Sequence, residues 1–354
     1  MCERTYGRWS RRVFPYTELN RELLLRTQEM DEHWIASIDA SFIPKSGKIT
    51  EGIGYFYSGC TSKVQRGLEM SLVSVVDLKA NTGFSLLAKQ TRVEQDQTSP
   101  EKNKIDQALD QIRECSADLR QLKIHDLVAN AWYSKEKFVN GVVEEGFNMI
   151  GKLRQDAHLK FLFTGKYTGK GRPKKYDGRV KFTDLRRFTK TEMPKEDFDL
   201  YSKVVWSHSM KREILVVVLR NRGEKKKILA LLYTTNLSTS PVDVLQKYRA
   251  RFQIEFVIRD AKQHTGLNHS QARTLVAIEN HFNQSLIALN LLKIEDQQQA
   301  PKRIQKVISF ASWRRRKFNQ HLAKIVFCMF GSEANKKKIK QVIENIGCYG
   351  AISA

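Results

Sequence analysis

Apolar and polar positions alternate strictly from Trp34 to Ile43, with Ile35, Ser37, Asp39, Ser41 and Ile43 on one face and Ala36, Ile38, Ala40 and Phe42 on the other. This period predicts a strand that carries a carboxylate. Leu68 to Asp77 is apolar on both parities, as in a central strand covered on both faces. After the turn-like Lys79-Ala80-Asn81-Thr82-Gly83, Phe84 to Ala88 reads as its antiparallel partner. Between Pro100 and Leu122, Ile105, Leu109, Ile112 and Leu119 recur at helical spacing, and Pro100 and Glu101 suit a helix start. A strand over 127–131, a helix from Ser134 to Glu145 stopped by Gly146, and a strand over 147–153 follow. The order describes an α/β fold, a mixed sheet with flanking helices.

From about residue 155 to 240 the pattern shortens to strands and turns, among them Ile214 to Arg220 and Lys227 to Thr235. Helical periodicity resumes at Val242 and continues with breaks to Ile346. A core over 34–154 and 241–295 is therefore expected to be interrupted by a β-rich insertion over 155–240. A short segment, 1–33, precedes it, and a helical region, 296–354, follows.

Charge narrows the partners. The chain has 61 Lys and Arg against 38 Asp and Glu, a net charge of +23. A polyanion, most commonly nucleic acid, is the expected partner, because each neutralised phosphate releases counterions. Lys160 to Lys190 holds 11 basic residues against two acids, and Lys302 to Lys340 holds 12 against one. No apolar run approaches the roughly 20 residues that span a bilayer, and no apolar region follows the arginines of residues 1–12. The five cysteines, Cys2, Cys60, Cys115, Cys328 and Cys348, never stand in CxxC spacing, which disfavours zinc and disulfide frameworks and fits a reducing cytoplasm. His125, His264, His269 and His281 form no metal spacing, and no P-loop, GxSxG or HExxH is present. Among the tryptophans, Trp132 is the candidate for stacking on a base; packing accounts for the others.

The segment YRARFQIEFVIRDAK, Tyr248 to Lys262, reads as one amphipathic helix. With Tyr248 at 0°, Arg251, Glu255 and Lys262 lie at about 300°, 340° and 320°, so all four share an arc of about 60°. Ala250, Ile254, Val257, Ile258 and Ala261 cluster on another, apolar side, between about 180° and 280°. An ordinary Arg251–Glu255 pair at i,i+4 accounts for this polar face. So does a carboxylate set among phosphate-binding cations for a metal-assisted phosphodiester reaction.

The spacing Y-x2-R-x3-E-x6-K resembles that of bacterial insertion-sequence transposases of the DDE superfamily, specifically the insertion-sequence-four-like YREK group. Ile38 to Lys48 resembles the first-acid strand of these enzymes, Leu127 to Val139 the second-acid strand and its helix, and Gly169 to Gly178 part of their insertion domain. The resemblance implies a ribonuclease-H-like core and cleavage of transposon ends followed by strand transfer into target DNA. It implies two Mg²⁺ ions, replaceable by Mn²⁺, held by Asp39, Glu255 and the residue at the Asn130 position. Tyr248, Arg251 and Lys262 would contact DNA phosphates, as would Arg172, Lys174 and Lys175 in the insertion. It also implies double-stranded DNA as partner, a homodimer in the synaptic complex, no membrane association, and a bacterial cytoplasmic, nucleoid-associated location.

The chain departs from the family pattern twice. Where relatives carry the second acid it has Asn130, within Ala129-Asn130-Ala131-Trp132-Tyr133, and Asn supplies no negative charge to a hard cation. Asp126 shares the strand parity of Asn130 but lies roughly 13 Å away along it, and Asp156 is a weaker substitute. The segment before Asp39 is also short for an end-recognition region, with room for a helix over little more than Tyr16 to Met30. A catalytically inactive DNA-binding remnant is therefore the rival reading, and a metal nuclease of related fold a third.

Overall fold

The fold comes from a computed structural model, which describes residues 7–9, 11–59, 61–92, 103–166, 169, 172–223, 227–299, 309–330 and 337–350. Pro100, Glu101, Lys170, Gly171, Cys2, Cys60 and part of the second basic zone lie outside the described residues. Two compact units are present, Met1–Ala288 and Leu289–Ala354.

The alternating segment forms strand β1 (Trp34–Pro44). A short strand that the pattern did not predict, β2 (Gly54–Ser58), precedes β3 (Lys63–Asp77), which is longer than its apolar run, and β4 (Thr82–Thr91) follows. β3 pairs antiparallel with β1, β2 and β4. An N-terminal helix, α1 (Tyr16–Thr27), is tied to β4 by the Asn20 amide, which donates to the Leu86 carbonyl at 2.9 Å. Helix α2 (Lys104–Gln121) starts behind Asn103, whose side chain accepts from the Ile105 and Asp106 amides.

Strand β5 (Asp126–Ala129) runs parallel to β1, with Ile38 opposite Ala129. It ends one residue before Asn130, and a single 3₁₀ turn (Ala131–Tyr133) leads into helix α3 (Glu136–Glu144). Gly146, at φ +87°, allows the chain to reverse into strand β6 (Asn148–Leu153), which is parallel to β5.

Residues 155–240 supply β7 (Leu159–Leu162), β8 (Tyr176–Arg179), β9 (Thr189–Thr191), β10 (Phe198–Ser207), β11 (Arg212–Asn221) and β12 (Ile228–Thr234). Because β12 pairs with β6, these strands continue the same sheet in the order β2-β3-β1-β5-β6-β12-β11-β10-β7-β8, with β4 on β3 and β9 on β10. The result is a mixed, ribonuclease-H-like α/β fold with a mostly antiparallel sheet of 12 strands among the described residues.

Helices α4 (Pro241–Ala250) and α5 (Gln253–His264) carry the motif. Val244 and Leu245 of α4 join a core with Ile35, Val128, Ile150, Val217 and Leu232, which seats the helix on the sheet. The single helix expected over Tyr248–Lys262 is thus two. At the junction the Ile254 and Glu255 amides bond three residues back, to Arg251 and Phe252, rather than four. Helix α6 (Leu275–Gln299) follows, and the second unit contains α7 (Phe310–Met329) and α8 (Lys337–Gly347). Among the described residues no helix is long and apolar enough to cross a membrane.

Candidate active site

Parallel pairing of β1 with β5 fixes the heart of the site. With Ile38 level with Ala129, Asp39, midway along β1, and Asn130, one residue past the end of β5, stand side by side. The Asn130 side-chain oxygen accepts from the Trp132 backbone amide at 2.8 Å. That bond dictates the orientation of the group, so the amide nitrogen faces Asp39 and donates to its Oδ1 at 3.1 Å.

Helices α4 and α5 deliver the second charged layer. Arg251, at their junction, donates to Asp39 Oδ2 at 3.2 Å and to Glu255 Oε1 at 2.9 Å, although 212 positions separate it from Asp39. Ala250, Ile254, Val257, Ile258 and Ala261 are buried, and Glu255 is held through Arg251 on the side of Asp39. The Tyr248 ring lies 5.8 Å from the Arg251 guanidinium. Lys262 donates to Ser41 Oγ at 2.9 Å and to the Phe42 carbonyl at 2.7 Å, beside the end of β1. Asp39, Asn130, Arg251 and Glu255 are thus joined directly, Tyr248 lies beside Arg251, and Lys262 is anchored farther along β1.

Burial raises the pKa of Asp39; Arg251 opposes that rise and Glu255 adds to it. Burial likewise raises Tyr248, against the lowering effect of Arg251. Tyr133 is fully buried behind Asp39, and its hydroxyl is held well above the usual range by desolvation and then by the Asp39 and Glu69 charges.

Both substitute acids are placed elsewhere. Asp126, at the opposite end of β5, accepts from Lys247 at 2.6 Å and from Asn148 at 3.1 Å, while Asp156 is paired with Arg154. Arg172, Lys174 and Lys175 are exposed beside β8, an edge strand far along the sheet from β1. Lys174 is engaged by Asp177 at 2.7 Å.

The sequence did not point to Tyr57, Lys89 and Lys104, which with Asp39, Asn130 and Trp132 line an adjoining cavity of about 290 Å³. The signal was there in the alternation of Tyr55, Phe56 and Tyr57, but the segment is only five residues long.

A two-ion centre needs oxygen donors converging on shared cations. Asp39 and Glu255 have the right chemistry, yet a guanidinium already lies between them and Asn130 turns an N–H toward Asp39. Among the described residues no three His, Cys, Asp or Glu gather as a metal-binding group. The residues therefore do not fit a complete two-metal centre.

Comparison with known proteins gives the geometry its context. No curated protein matches the chain. A family model described as the transposase DDE domain matches residues 31–291, a span that includes β1, β5, β7 to β12 and both motif helices. DNA is the substrate this family implies, and divalent metals are what it generally uses. On that match the chain belongs to the transposase DDE-domain family.

Proposed function

We propose that the protein is an insertion-sequence transposase of the YREK group that grips duplex transposon ends, and whose end cleavage is weakened at Asn130. The observation that carries this reading is the meeting of Asp39, Asn130, Arg251 and Glu255, residues from three distant parts of the chain, in one hydrogen-bonded group. Asp39 and Glu255 are the two remaining acids of the triad. Tyr248, Arg251 and Lys262 contact phosphates around them, and the basic insertion with Arg172, Lys174 and Lys175 extends the grip along the duplex. Strand transfer into a target needs two ends held together, for which a homodimer is the simplest assembly. The core over 34–154 and 241–295, the insertion over 155–240 and the flanking segments are the working parts in this reading.

The Asn130 amide favours a second reading, a DNA-binding protein without cleavage, because it places a donor where relatives carry an acid. Nicking of end-sequence DNA in Mg²⁺ or Mn²⁺ separates the two. Asn130→Asp is nearly isosteric and should raise nicking by tenfold or more, about 1.4 kcal/mol of barrier. Adding Glu255→Gln should abolish the gain. Equal nicking by wild type and Asn130→Asp would remove Asn130 from the second-acid position. If neither cleaves while both bind ends, the DNA-binding reading stands.

A further inference from the structure

The edge of the sheet next to the site carries an unusual pair of side chains. Tyr55 and Tyr57 on β2 are 71% and 62% exposed, whereas Phe56 between them is buried. Cross-strand register sets Tyr55 opposite Arg66 and Tyr57 opposite Val64, so all four lie on one face of the β2–β3 ribbon. An exposed tyrosine pair on an edge strand invites aggregation unless charge or function accounts for it. Here Lys63 and Arg66 are exposed on the partner strand. Tyr57 lines the same cavity as Asp39, Asn130 and Trp132. Trp132, 44% exposed, has the Lys135 ammonium 4.6 Å from its ring. Lys104, beside Glu69 at 2.9 Å and over the Phe56 ring, adds a further cation to the wall.

We infer that Tyr55, Tyr57 and Trp132 form a stacking track for an unpaired DNA strand leaving the site at Asp39. The inference rests on the transposase reading for the presence of DNA and goes beyond it in naming a single-stranded segment and the residues that take it. Binding of single strands combines cations for the backbone with aromatic rings for the bases, tolerant of sequence because every base has a π-face. Spacing agrees with this use. Residues two apart on an antiparallel strand are separated by about 6.8 Å, twice the base rise of about 3.4 Å, so one base fits between the rings of Tyr55 and Tyr57. The track matters for the reaction because an end opened beside the scissile phosphate exposes bases that need a place away from the attacking group.

The test uses the full chain and two DNA probes, a blunt end-sequence duplex and the same duplex with a six-nucleotide unpaired extension carrying 2-aminopurine. The readout is the ratio of affinities for the two probes, by anisotropy, together with the 2-aminopurine signal. Wild type should prefer the extended probe about tenfold, with quenching from stacking. Tyr55→Ala/Tyr57→Ala and Trp132→Ala should each lower the ratio severalfold, while Tyr55→Phe/Tyr57→Phe should keep it, because the ring and not the hydroxyl stacks. A ratio near one in wild type, or an unchanged ratio in the alanine variants, overturns the track while leaving the transposase reading intact. Failure of wild type to bind even the blunt duplex overturns the transposase reading and the track with it.

Discussion

Arg251 governs the electrostatics of the site, since one guanidinium serves two carboxylates that would otherwise repel. The place of Asp39 midway along β1 costs desolvation, which raises its pKa, and Arg251 is the main force pulling it back. Arg251→Met should therefore raise the Asp39 pKa further, and Glu255→Gln, which removes a neighbouring negative charge, should lower it. Carbon-detected NMR titration of the Asp39 carboxyl reads both shifts, and shifts of the same sign would show that the three groups are not coupled. The effect on stability has a definite sign. With the folded pKa above the unfolded one, the stability this group contributes is complete below the unfolded value and is lost as pH rises through the folded value. Urea unfolding of Asp39→Asn should lack that part of the acid-range slope. Asn130 shows the opposite strategy: its neutral amide satisfies Asp39 and caps the following turn without adding charge.

At the scale of elements, the site depends on how closely α5 can approach β4. A Cβ on Gly83 would lie 3.1 Å from Val257 Cγ2 and 3.3 Å from the Gln253 carbonyl oxygen, so the absence of a side chain lets the helix bearing Glu255 settle against the strand. Gly83→Val should cost about 1–3 kcal/mol through overpacking, measured by urea unfolding. It should also disturb the Arg251–Glu255 pair; a valine variant as stable as wild type would show that α5 has room to shift. Much of this layer was legible in the sequence. The strict alternation that predicts β1 reflects a strand anchored by burial along its first half, and the both-parity apolar run belongs to a strand covered by helix and sheet. Two features were not legible. β2 escaped because Gly54-Tyr55-Phe56-Tyr57-Ser58 is short and has turn-like ends; it exists because β3 offers a partner and Phe56 a buried seat. The break at Arg251 escaped because angular arithmetic assumes uniform 3.6-residue turns, whereas the junction uses tighter i→i+3 bonds. The motif spacing still singled out side chains that the fold brings together, since the Arg251–Glu255 relation at i,i+4 survives the break.

For the whole molecule, the net charge of +23 acts through where it is placed and how much of it is already engaged. Binding to duplex DNA should weaken steeply with salt, and removing one cation that neutralises a phosphate should reduce the slope of log K against log salt by about 0.9. The neighbouring lysines before β8 are not equivalent in this respect. Lys174 is held by Asp177, and Asp177 is also paired with Arg187 at 3.0 Å, so a phosphate must displace an existing partner to take Lys174. The pairing is mutual, for the Asp177 pKa is lowered chiefly by its hydrogen bond from Lys174. If both lysines reach DNA phosphates, Lys175→Ala should cut the salt slope by close to that full amount, whereas Lys174→Ala should cut it by less, because removing Lys174 also releases Asp177 from its partner. Asp177→Asn should then strengthen binding at low salt, by freeing Lys174 and removing a repulsive charge. Because phosphate contacts carry no base code, these effects should be the same on end-sequence and unrelated duplexes. Titrations of the three variants across a salt series on both duplexes measure this directly. Slopes unchanged from wild type in all three would place these lysines away from DNA, and a weakening confined to the end sequence would make these side chains readers of bases rather than of backbone.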